Sequence, residues 1–127
     1  MNLLLDTHAV LWWLDDDPRL SPHAREAIED PANQVFVSTA SLWEIAIKIR
    51  IGKLRVDLAD VIALLPQQGF RLLDIKTDHL QVLATLPAHH RDPFDHLLIA
   101  QAITEELTFL SNDRHVKSYP VASIPTT

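Results

Sequence analysis

The stretch Asn2-Leu3-Leu4-Leu5-Asp6-Thr7-His8 decides the fold class. Three consecutive leucines read as a short buried strand, and the aspartate that follows places an acid at its carboxyl end. Apolar runs of similar length and β character recur at Val35–Val37, Leu72–Ile75 and Thr108–Leu110, and the segments between them read as helices. That alternation predicts an α/β fold built on a parallel sheet. Helix starts are marked by Ser21-Pro22, by Ser38 or Thr39 ahead of Leu42–Ile51, by Asp57, by Thr77 and by Asp92-Pro93. The two glycines, Gly52 and Gly69, each follow a helical pattern, where a left-handed cap is the least costly use of glycine.

Length and composition bound the rest. With 127 residues and 47% hydrophobic content, the chain matches one domain spanning 1–127. The apolar run after Met1-Asn2 stops at Asp6, too soon for a signal peptide, and nothing approaches a membrane span. The absence of cysteine excludes disulfides, thiolate nucleophiles and cysteine-held zinc, and the expected compartment is a reducing cytoplasm. Two glycines cannot supply a Walker loop or a dinucleotide fingerprint, so a nucleotide-driven motor or a Rossmann dehydrogenase is not expected.

The acids carry the chemistry. Asp6 and Asp113 each follow an apolar strand, and in open α/β sheets ligands bind at that edge. Glu44 falls in the first turns of the helix after Val35–Val37, and Asp92 and Asp95 open the helix running through Leu97–Ala100. Singly, each has an ordinary use as a cap or turn residue. Together they fall at one sheet edge, where mutual repulsion calls for a cation. A hard divalent ion, Mg2+ or Mn2+, prefers such oxygen ligands, polarises a phosphoryl oxygen and acidifies water, which suits phosphodiester hydrolysis. Asp92, as the cap, has an oxygen committed to backbone amides and reads as an orienting group; Asp95 is the better ligand.

Other features point less sharply. The net charge of -6 opposes a nucleic-acid partner unless bound cations offset the gathered acids. Lys48, Arg50, Lys53 and Arg55 form a basic group that reads equally as a solvated helix end or as a phosphate-steering patch. Asp15-Asp16-Asp17 reads as a solvated turn. His8, His89, His90 and His96 read as surface or supporting residues, although a metal-independent nuclease would use such groups as acid and base. Trp12 and Trp13, adjacent on a helix, point about 100° apart and cannot both be fully buried, so one is available to a partner.

The blocks LLLDTH at 3–8, SLWEIAIKIRIGKL at 41–54, HRDPFDHLLIAQA at 90–102 and FLSND at 109–113 resemble, in order and spacing, the PIN-domain ribonucleases, particularly the VapC-type toxins of toxin-antitoxin pairs. The resemblance implies a PIN-like fold, a central parallel β-sheet wrapped by α-helices. It maps Asp6, Glu44, Asp95 and Asp113 onto the family's acidic metal site, with Asp92 beside it. It also implies Mg2+- or Mn2+-dependent cleavage of an RNA substrate, a cognate antitoxin and a homodimer. Asp6 and Asp95 are then the expected metal ligands, and Trp12, Trp13 and Leu14 the expected antitoxin contact. Ser111 stands where many relatives carry threonine, so the hydroxyl is kept. A catalytically silent PIN-like module that only binds RNA or protein is the alternative. A phosphatase with Asp6 as nucleophile is a weaker rival, since His8 stands where its second acid belongs.

Overall fold

The computed structural model describes residues 1–88 and 92–127. The chain runs β1 (Asn2–Leu5), α1 (Thr7–Leu14), α2 (Pro22–Glu29), β2 (Gln34–Ser38), α3 (Thr39–Arg50), α4 (Leu58–Gln67), β3 (Arg71–Leu73), α5 (Thr77–Thr85), α6 (Pro93–Thr104), β4 (Thr108–Leu110), a 3-10 turn (Arg114–Ser118) and β5 (Ser123–Ile124). The five strands form one parallel sheet in the order β3-β2-β1-β4-β5. The predicted parallel α/β architecture is therefore present. Among the described residues, no helix is long and apolar enough to cross a membrane.

Because strand side chains alternate between faces, the apolar strands feed two cores. Leu3, Leu5, Val35, Val37 and Leu110 pack against Ala9, Val10, Ala24, Ile28 and Leu65 of α1, α2 and α4. Leu4 and Phe109 point the other way, onto Leu97, Leu98 and Ala102 of α6. Leu3, Leu4, Leu5 and Phe109 are fully buried, as strands covered on both faces require.

Ser21, Ser38, Asp57 and Asp92 cap their helices as the sequence implies, and Gly52 and Gly69 both adopt φ +77° beyond helix ends. Ser38, itself fully buried, accepts the Ala40 amide at 3.0 Å and starts the helix that carries Glu44. Ser38→Ala should therefore cost about 1 kcal/mol, read as a lower denaturant midpoint at unchanged m.

Two expectations need correction, and one strand was not expected. The strand expected at Leu72–Ile75 is Arg71–Leu73: β3 is an edge strand whose only partner, β2, runs out at Ser38 opposite Leu73, so Asp74 and Ile75 have no ladder to join. Thr77 is the first helical residue of α5, not its cap; the amide at Lys76 is instead accepted by Nδ1 of His79, at 3.0 Å. The two-residue β5 carries no apolar run and escapes a pattern reading. The Asp15–Asp17 turn is as expected, with Asp16 at φ +49° paired to Arg25 and Asp17 to Arg19.

Candidate active site

Sheet order determines where the site lies. From β1 the chain adds β2 and β3 on one side, then crosses to place β4 and β5 on the other, so helices leave the carboxyl ends of β1 and β4 in opposite directions. The crevice opens between those two ends. Asp6 directly follows β1, and Asp113 lies three residues beyond β4. A cleft of about 430 Å³ at this point is lined by Asp6, His8, Trp12, Asp92, Asp95, Asn112, Asp113 and Thr126.

Each acid is held by local chemistry. Asp6 caps α1, accepting the Ala9 amide at 2.7 Å. Asp113 caps the 3-10 turn, accepting the His115 amide at 2.8 Å, while its own amide donates to the Ser111 hydroxyl at 3.1 Å. Asp92 caps α6, accepting the Phe94 and Asp95 amides at 2.9 and 3.4 Å. The cap readings hold, and capping does not remove these acids from the cleft: one oxygen accepts a backbone amide while the residue still lines it. Glu44 is buried behind them, bonded to the Thr7 hydroxyl at 2.6 Å and to the Lys48 ammonium at 3.2 Å. Both its oxygens are occupied.

The electrostatics reflect this crowding. Burial, and then the charges of Asp92, Asp6, Asp113 and Glu44, push the Asp95 carboxyl up to about 8. Burial also raises Asp6, against the opposing hydrogen bonds from the Ala9 amide and the Ser111 hydroxyl. Burial together with four neighbouring acids is a setting in which the carboxyls of functional sites are often found. Asp95 and the four acids around it leave twelve elsewhere against eleven Lys and Arg, so the formal excess of acids lies at the cleft.

Among the described residues, no three His, Asp or Glu side chains stand close enough to close on one ion. The donor set nevertheless fits a hard cation that keeps several waters and takes only one or two carboxylates directly. The lining offers carboxylates, an amide and a hydroxyl. Thr126 adds a donor that sequence reading missed: its hydroxyl is buried with no hydrogen-bond partner among the described residues, and its carbonyl accepts the Ser21 amide at 2.8 Å.

The histidines separate clearly. His8 lines the cleft and meets Trp12 at a 50° tilt with ring centroids 5.9 Å apart. His96 is tied to the Tyr119 hydroxyl at 2.8 Å and serves the core. His89 and His90 lie outside the described residues. His79, not singled out from sequence, is fully buried between the Lys76 amide and the Glu105 carboxylate.

A second groove, about 610 Å³, meets the cleft at His8 and Trp12. Leu11, Trp12, Leu14 and Leu64 give it an apolar wall, and Lys48, Lys53 and Arg55 line it too. Arg50 does not. Nor does Trp13, which packs on Phe70 and donates its indole N–H to Gln68 at 3.1 Å. Of the expected contact residues, then, Trp12 and Leu14 share the groove and Trp13 is withdrawn, because its neighbour's 100° offset turns it towards α4 and Phe70.

A family model for the PIN domain matches residues 3–122. The chain is 29% identical over 121 residues to Ribonuclease VapC22 of Mycobacterium tuberculosis, spanning 93% of this chain and 92% of that one. Among solved structures it is similar to VapBC2 of Rickettsia felis bound to a promoter DNA fragment, with TM-score 0.78, 16% identity and full coverage of both chains. It is also similar to DNA-bound VapBC of Salmonella typhimurium, with TM-score 0.71, 16% identity and coverage of 100% and 99%.

Proposed function

The chain belongs to the PIN-domain family, and from that premise we propose that it is a divalent-metal-dependent endoribonuclease, the toxin of a toxin-antitoxin pair. The observation that carries the reading is the convergence of Asp6, Asp92, Asp95 and Asp113, from separate elements, on one cleft at the switch point of the sheet. The relative named a ribonuclease, aligned over nearly the whole length of both chains, supplies the substrate class.

In this reading Asp6 and Asp95 hold the Mg2+ or Mn2+ ion. A cation bound there supplies Lewis acidity, polarising the phosphoryl group and lowering the pKa of water. Asp113 and Asp92 extend the negative wall that positions the ion. Glu44, pinned by Thr7 and Lys48, presents a fixed charge behind it. His8, at the mouth, is placed to contact substrate. Histidine chemistry alone is the competing route. Incubating single-stranded RNA with the protein separates the two: cleavage should need Mg2+ or Mn2+, stop with EDTA and return with excess metal. Cleavage that persists in EDTA would sink the metal-dependent reading.

The same reading assigns the apolar groove to an antitoxin segment entering at Trp12 and Leu14. The toxin-antitoxin complexes among the similar structures support it. Trp12 is oriented by His8 on one side and by Arg19, 5.0 Å from the ring centroid. Trp12→Ala should weaken a co-expressed antitoxin complex by ~10-fold or more, since aromatic anchors dominate interfaces. Trp13→Ala should act less on affinity. Titration calorimetry giving equal affinities for wild type and Trp12→Ala would move the interface elsewhere. A homodimer completes the reading, and light scattering of the purified protein tests it.

A further inference from the structure

Trp43 is 55% exposed although its neighbour Glu44 is buried. A tryptophan left this open on an otherwise well-packed helix needs a reason. Its ring meets Phe94 edge to face, with centroids 4.8 Å apart and an interplanar angle of 72°, which fixes the indole in one orientation. Phe94 directly precedes Asp95, which lines the acid cleft, and Trp43 directly precedes the buried Glu44 in the opening turns of α3, so the pair flanks the acids along both helices without lining the cleft itself.

The same helix face carries a cation. Seven residues make nearly two full turns, so Arg50 lies below Trp43, about 10 Å along α3. Arg50 is exposed and, among the described residues, takes part in no ion pair; it is also the member of the basic group that the groove does not use. An oriented exposed indole and an unpaired guanidinium, one turn-pair apart beside a phosphodiester-cutting site, match the two contacts by which proteins hold single-stranded nucleic acid: base stacking and phosphate pairing.

We propose that Trp43, braced by Phe94, and Arg50 form a subsite that binds a nucleotide of single-stranded RNA flanking the bond that is cut, its base stacked on the indole and its phosphate paired with the guanidinium. This rests on the ribonuclease reading above and adds where the substrate strand runs: out of the cleft across α3, away from the apolar groove. The subsite is sequence-tolerant, because every base has a face to stack.

The test uses a fluorescein-labelled single-stranded oligoribonucleotide of mixed sequence, bound in EDTA so that nothing is cut and followed by anisotropy. Trp43→Ala should weaken binding about tenfold and Trp43→Phe much less. Arg50→Ala should reduce the slope of log affinity against log salt by about one phosphate contact. With an abasic version of the same strand, Trp43→Ala and wild type should bind alike. In cleavage assays with metal, Trp43→Ala should raise KM more than it lowers kcat. Equal binding by Trp43→Ala and wild type overturns the subsite while leaving the ribonuclease reading standing. A Trp43→Ala protein that binds RNA normally but changes oligomeric state assigns the face to a second copy and overturns it too. Wild type that neither binds nor cuts RNA overturns both readings.

Discussion

Asp95→Asn should lower RNA cleavage by more than ~100-fold while the protein remains folded. Losing a partner one step removed from a metal typically costs 10- to 100-fold, and Asp95 is assigned a place against the ion itself. The swap keeps the shape and removes the charge. It leaves the α6 cap untouched, because that cap is the Asp92 carboxylate accepting the Phe94 amide. Asp6→Asn should behave similarly: asparagine is as good a cap as aspartate, so the bond to Ala9 survives and only the ligand charge is lost. Asp92→Asn should be milder, since Asp92 is assigned no place on the ion and asparagine keeps its cap. Circular dichroism of the three proteins, with initial cleavage rates at saturating Mg2+, checks the order. If Asp92→Asn is as inactive as Asp95→Asn, Asp92 is a ligand and the ranking is wrong.

Much of the fold is legible in the sequence alone, for reasons particular residues make plain. The strands β1 and β4 are short apolar runs followed by acids, so Asp6 and Asp113 could be placed at a sheet edge from their neighbours alone. Ser21, Ser38, Asp57 and Asp92 are caps whose chemistry is local, and they sit as expected. What stayed hidden depends on contacts between distant parts of the chain. Thr7 reaches Glu44 across 37 positions, and His79 reaches Glu105 across 26. No spacing rule announces either. Thr126 belongs to the cleft only because its segment follows the added strand β5, which has too few residues for a pattern. The exposure of Trp43 was equally invisible, since a tryptophan in the apolar stretch Leu42–Ile51 reads as core until its burial is known.

The cap positions also explain how so many like charges tolerate one cleft. Asp6, Asp92 and Asp113 each accept at least one backbone amide at the start of a helical turn, where the helix dipole favours an anion. Asp95 sits inside its helix, past the cap, and carries the imbalance. The fold thus gives three of the four acids lining the cleft a backbone amide, although burial still raises Asp6, and Asp95 is raised by burial and by its acidic neighbours.

That imbalance should be measurable as stability. With Asp95 raised from 3.8 to about 8, the folded protein holds a proton that the unfolded chain has already released over that interval. The stability that this proton brings is fully present below about pH 4 and is lost as the pH rises towards 8. Asparagine mimics the protonated side chain at every pH. In EDTA, Asp95→Asn should thus melt above wild type, with a gap that widens by on the order of 1 kcal/mol per pH unit between about 4 and 8 and is level above that. For a chain of this size each step is a few degrees. Metal should narrow the gap. Cation binding must displace the Asp95 proton, so Mg2+ should bind wild type more tightly as the pH rises towards 8, releasing protons into a weak buffer. At ten times its Kd, Mg2+ should add about 1.4 kcal/mol to wild type and much less to Asp95→Asn. Calorimetry across pH 5 to 9, with Mg2+ or EDTA, reads both effects together. A metal-free Asp95→Asn protein less stable than wild type at pH 8 would show that the Asp95 charge supports the fold, and the repulsive cation site would then have to be abandoned.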